Sequence, residues 1–389
     1  MIWRPAVGAL LAALALCLAA PPATAADPVL TPLVGRVLAA PRPVPGSDQR
    51  RHLVYEVQLD NVTAGTMEVQ AVEIVDQGGN VVHRLDRGAV GGRLSIGGRR
   101  GAESPDLLFG QFAVLFVHVA LGKDDALPSA LRHRISLRFV PGNIDHTLTI
   151  AETPVNDGPT VVLGPPLVGK GYIAGDGCCD SIRHVRALLP LDGRFTLAQR
   201  FAIDWEQADA QNRLVTGDTR VPGNYTIFGK DVLAVADGTV VASRNDLPEQ
   251  VPGALPKNLP LDQADGNFVV LDIGGGAHVL YAHMQPGSVT VTAGARVKRG
   301  DLLGKVGNTG NSQAPHLHLH VMDGPSALLA NGIPYVFDSF TLTAIDQAGT
   351  ADFDKAEATG SPLALTPVTP PQAMKAVLPL DLTVVEFSK

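Results

Sequence analysis

The chain has 389 residues, 45% of them hydrophobic and 18% charged, with 41 Gly, 30 Pro and a formal net charge of −7. This composition excludes a disordered chain, and the mild acidity excludes the basic stripe of a nucleic-acid-binding protein. The length asks for two domains with appendages, and the many turn residues with few long helical patterns predict an all-β protein.

Arg4 precedes an apolar run over residues 6–20, which ends in Pro21-Pro22-Ala23-Thr24-Ala25-Ala26. A basic start, a short apolar stretch and an Ala-x-Ala cleavage site predict a secretory signal peptide over residues 1–25. The run is short for a bilayer span, and no later segment is long and apolar enough for one. Cys17 follows Leu16 and not a small residue, which argues against a lipoprotein cysteine. The expected destination is the periplasm, the cell wall or the exterior. Cys178 and Cys179, the only cysteines left after cleavage, then sit in an oxidising compartment.

Residues 30–150 alternate apolar and polar side chains in short runs, at 52–59, 66–75, 112–119 and 134–140, separated by Gly, Asp and Asn. Such spacing predicts a β-sandwich-like domain. His52, His118 and His133 fall in strand-like or flanking positions and read as structural or solvent-facing, not as ligands. Residues 151–170 hold Pro154, Gly158-Pro159 and Gly164-Pro165-Pro166 and read as a linker. A central domain follows over 171–340. The tail, 341–389, contains a Pro-rich stretch at 366–372 that reads as irregular, and ends in a run that reads as a strand returning to a sheet.

Four pieces of the central domain carry the chemistry. They are Gln199-Arg200-Phe-Ala-Ile-Asp204-Trp205, the 232–241 run around Asp237-Gly238, the segment from Gly266 to Tyr281-Ala282-His283, and Gly307-Asn308-Thr309-Gly310 followed by Pro315-His316-Leu-His318-Leu-His320. In this order they resemble the lysostaphin-type (LytM-type) zinc metallopeptidases, over roughly residues 199–321. The resemblance implies an antiparallel β-sheet groove, a bound zinc ion and hydrolysis of peptide bonds in peptidoglycan. It assigns Asp204 and His318 as zinc ligands and His283 and His316 as catalytic histidines.

One position departs from the family. Arg200 stands where the first zinc-binding His belongs, and a permanently charged guanidinium has no lone pair for a metal. Catalytic zinc sites use about three protein ligands, so a substitute is needed. Residues two apart on a strand share a face, so His316, His318 and His320 point the same way. His316 and His320 are about 13 Å apart along a strand, too far to share one ion. His320, paired with His318, is therefore the expected substitute third ligand. His184 is a further candidate and reads as a loop residue without a metal role. Adjacent Cα atoms lie about 3.8 Å apart, below the usual disulfide range. Export nevertheless favours an oxidised Cys178–Cys179 pair over a metal site.

Two functions fit. The first is an exported zinc metalloendopeptidase that remodels the cell wall with an atypical ligand set. The second is an inert module that binds wall peptides or activates a partner wall hydrolase, with Arg200 replacing the ion's charge and pairing with Asp204.

Overall fold

Described by a computed structural model are residues 29–97, 99–100 and 104–388, so the predicted signal segment and Cys17 lie outside the described residues. Strands dominate. The described α-helices are Arg87–Arg93 and Thr350–Thr359.

Two antiparallel sheets make the first part. One runs Leu33–Val37, Arg51–Asn61, Phe112–Leu121, Leu94–Ile96; the other runs Ile144–Pro154, Ala130–Phe139, Met67–Asp76, Val81–Asp86. Strand side chains alternate between faces. Accordingly Leu53, Tyr55, Val57 and Leu59 of Arg51–Asn61 join Leu115 and Val117 in a buried cluster with Met67, Val69, Ile74 and Ile135 of the other sheet. This is the core of a β-sandwich.

The other face of Arg51–Asn61 is also covered, which is why that strand reads as a nearly unbroken buried run. His52, Val54 and Glu56 lie on it, and all three are buried. Val54 belongs to the core of the second part of the chain, and Val114 and Phe116 from the neighbouring strand pack against Leu197. Residues 32–389 accordingly form one compact unit.

The second part is built on an eleven-stranded sheet. Its central order is Tyr335–Asp346, Thr383–Phe387, Gly169–Gly175, Ile203–Gln207, Leu317–Met322, His278–Met284, Asn267–Asp272, Gly238–Arg244. The C-terminal Thr383–Phe387 strand lies between Tyr335–Asp346 and Gly169–Gly175, antiparallel to both.

Two segments differ from the sequence expectation. Residues 151–170, expected as a linker, include the end of Ile144–Pro154 and the strand Val161–Leu163, which pairs in parallel with Tyr335–Phe337. The β-branched Val161-Val162 pair outweighs the flanking prolines. The Pro-rich stretch is part of the strand Leu365–Val377, which pairs with Tyr335–Asp346. Proline lacks an N–H but is tolerated in a strand with a free edge.

Candidate active site

Three adjacent strands bring the predicted residues together. On Ile203–Gln207, Asp204 stands directly opposite His318 of Leu317–Met322; on the far side, His318 stands opposite Ala282, the residue before His283. Residues paired across adjacent strands carry side chains on one face within reach of each other. The Asp204 carboxylate accordingly lies 2.8 Å from His318 Nδ1 and 3.4 Å from His316 Nε2. The His283 ring centre is 4.6 Å from that of His316 and 5.8 Å from that of His318.

The residue that completes the cluster is His184, not His320. His184 Nε2 is 3.3 Å from Asp204 Oδ2. One ligand atom each from His184, Asp204 and His318 fall within 4.8 Å of one another, as do those of His283, His316 and His318. His184 belongs to the loop leaving Gly169–Gly175, the strand that pairs with Ile203–Gln207 and sets Gly175 opposite Asp204. The loop therefore begins beside the carboxylate. Nothing in the sequence spacing signals this, because the neighbouring strand is a tertiary fact. His320 stands behind His318, with its Nδ1 2.9 Å from His318 Nε2, in the position of an outer partner that orients a ligand.

Arg200 has a different occupation from the one expected. Its Nε and Nη2 donate to Glu56 Oε1 and Oε2, each at 2.8 Å, and Nη1 donates to the Gly332 carbonyl at 2.8 Å. The guanidinium thus pairs with a carboxylate of the β-sandwich and not with Asp204. Burial opposes its charge, and Glu56 more than offsets that.

Three of the imidazoles are held through their outer nitrogens. His184 Nδ1 donates to the Asp176 carbonyl at 2.9 Å, His283 Nδ1 to that of Thr309 at 2.7 Å, and His316 Nδ1 to that of Ala314 at 2.7 Å. In the neutral ring each bond fixes the tautomer and leaves Nε2 with its lone pair. His318 differs, presenting Nδ1 to Asp204. The Thr309 carbonyl is itself fixed, since Thr309 Oγ1 accepts the Asn267 N–H at 2.8 Å and donates to the Met284 carbonyl at 2.9 Å. Gly310 makes this approach possible. It has φ +78°, and a Cβ there would lie 2.3 Å from the Gly266 nitrogen. His283 has φ +62°, in the left-handed region that non-glycine residues seldom occupy. Such strain concentrates at functional positions.

The electrostatics follow from one carboxylate, 18% exposed, among four rings. Burial pushes Asp204 up, but His184, His316 and His318 outweigh it and hold its carboxyl well below the usual range. Burial disfavours the charge on His184, yet Asp204 prevails and lifts it to about 9. Burial depresses His283 and His320 well below the ordinary imidazole value. His184 thus holds a proton against Asp204, and a cation that displaced it would meet neutral imidazoles beside an ionised carboxylate, the donor chemistry of a zinc site, so His184, Asp204 and His318 fit such an ion. Cys178 and Cys179, in the same loop as His184, are joined by a disulfide.

Residues 225–329 match Peptidase family M23. The matched segment contains His283, His316, His318 and His320 and begins after Asp204. The chain is 28% identical over 179 residues to the peptidoglycan DD-endopeptidase ShyA of Vibrio cholerae, covering 41% of this chain and 37% of that protein. It is 28% identical over 211 residues to an uncharacterized metalloprotease of Haemophilus influenzae, covering 49% and 39%. The chain therefore spans less than two fifths of the length of either relative. Among solved structures, the catalytic domain of lysostaphin from Staphylococcus simulans aligns with 42% of this chain and 88% of its own, at 22% identity and a TM-score of 0.23.

Proposed function

We propose that this chain, which carries a peptidase family M23 domain, is an exported zinc endopeptidase that cleaves peptide bonds of peptidoglycan. The observation that carries the reading is the cluster in which His184 takes up the place left by Arg200, beside Asp204 and His318. An inert module would have no need of a replacement ligand. Arg200 itself has a structural occupation, which removes the main support for a cation surrogate.

On this reading His184, Asp204 and His318 hold the metal. The chemistry a zinc ion supplies in such a site is polarisation of the scissile carbonyl and acidification of the attacking water. His283 and His316 flank the same point. With Nδ1–H bound to backbone carbonyls, each offers Nε2 as a proton acceptor. One takes a proton from the water as it attacks. The same proton then passes from that ring to the leaving amine, while the Nε2 lone pair of the second imidazole accepts a hydrogen bond from the attacking water and orients it. The histidines stand on strand ends and a braced turn, so little reorganisation is needed as charge moves.

The test pairs metal analysis with digestion of purified sacculi. About one zinc per chain with release of cross-linked peptides supports the reading, provided that His316→Ala keeps the metal and abolishes release. A metal-free, inactive protein that still sediments with sacculi supports the binding-module reading instead.

A further inference from the structure

A second cluster of ligand-type side chains lies between the sandwich and the His184 loop. His52 comes from Arg51–Asn61, His118 from Phe112–Leu121, and Cys179 from the loop facing them. One ligand atom from each falls within 4.8 Å of the others. His52 Nδ1 is 2.9 Å from His118 Nε2. The outer nitrogen of each ring meets a carboxylate. His52 Nε2 is 3.0 Å from Asp48, and His118 Nδ1 is 3.2 Å from Asp180. Carboxylate–imidazole pairs of this kind orient ligands toward metals and raise their basicity.

The one proton between the two rings occupies the place a cation would take. Two nitrogens on a tetrahedral zinc with bonds of about 2.0 Å sit about 3.3 Å apart, so the rings need to open by only a few tenths of an ångström. Cys179 is 7% exposed and His52 3% exposed, and the sulfur is bound to Cys178. A disulfide sulfur is a poor ligand, whereas a thiolate is a strong one for zinc.

We propose that His52, His118 and Cys179 form a second zinc site, closed while the Cys178–Cys179 bond is intact and opened when a dithiol reduces it. In that step the dithiol gives up two electrons and two protons and becomes a disulfide. The Sγ–Sγ bond breaks to two thiols, and the Cys179 proton leaves as the cation binds. The site joins the sandwich to the loop that carries His184, and it stands whether or not the chain is a peptidase.

The test uses the full chain with Co2+ as the probe. Cys178→Ser frees the Cys179 thiol without reductant, while Cys179→Ser removes the ligand. Cys178→Ser is expected to bind one more equivalent than Cys179→Ser, with a thiolate-to-cobalt charge-transfer band in the near ultraviolet. Adding His118→Gln to Cys178→Ser is expected to remove both. Wild type is expected to gain the same band after dithiol treatment and to lack it before. Equal stoichiometry in the two cysteine variants overturns the proposal, as does a band that survives loss of His118. Should the variants not fold, dithiol-treated wild type without the band overturns it as well.

Discussion

Arg200 and Glu56, 144 positions apart in sequence, meet as a doubly hydrogen-bonded ion pair in which Glu56 is fully buried and Arg200 nearly so. The pair joins the β-sandwich to the segment leading into the Asp204 strand. A bidentate guanidinium–carboxylate contact has fixed geometry, so the pair anchors the segment that leads into the Asp204 strand. Removing one partner strands a buried charge, which costs about 3–5 kcal/mol. Glu56→Ala is therefore expected to lower the unfolding free energy by about that amount, measured in urea. Glu56→Ala with Arg200→Met is expected to recover most of it. Equal stability of wild type and the single variant would show that the pair holds nothing.

His184 and His320 are expected to part company under metal titration. On the proposed ligand set His184→Ala removes a ligand, so zinc stoichiometry is expected to fall toward zero at concentrations that saturate wild type. His320→Ala removes only the group behind His318. Stoichiometry stays near one, and affinity drops by about 10- to 100-fold, as for outer partners generally. Chelator competition followed by metal analysis separates the two. A full loss in His320→Ala would return that residue to the ligand set.

The sequence made the strand-borne part of the site readable. Asp204, His283, His316 and His318 lie in short motifs that the family resemblance picks out, although His283 joins them in space through its positive φ, because Ala282 is the residue in register with His318. His184 was not readable in the same way. Its place depends on the Gly169–Gly175 strand lying next to Ile203–Gln207, and the spacing of residues along the chain carries no information about strand neighbours. Arg200 was legible as an absence but not as a contact, because its partner belongs to another sheet. The prolines at 367, 370 and 371 misled for a related reason: their cost depends on whether the strand has a free edge, which only the assembled sheet decides.

Gly310 is expected to be intolerant of any side chain. A Cβ there meets Gly266 backbone at 2.3 Å, and the positive φ adds strain. The loop has to move, and the Thr309 carbonyl moves with it, away from His283 Nδ1. Gly310→Ala is thus expected to lose activity on sacculi by about 100-fold, the effect of roughly 1 Å of misplacement in a catalytic site, while keeping its zinc. Loss of zinc together with activity would instead indicate a wider collapse of the site.

His133 gives the sandwich an acid limit. The ring is fully buried between the two sheets; its Nδ1 donates to the Ala151 carbonyl at 3.1 Å, and Nε2 accepts from Tyr55 Oη at 2.9 Å. Both nitrogens are satisfied only in the neutral form. Burial depresses its pKa to about 4, against 6.5 unfolded, although the backbone carbonyls pull the other way. Between those values the unfolded chain binds the extra proton, so stability rises with pH in that window. The contribution is fully present above pH 6.5 and declines as pH falls toward 4, by about 3 kcal/mol in total. His133→Gln keeps an acceptor for Tyr55 and a donor for Ala151 but does not titrate. Urea unfolding at several pH values is expected to give a shallower slope for the variant between pH 6.5 and 4 than for wild type. Parallel slopes would mean that His133 protonates as readily in the fold as out of it.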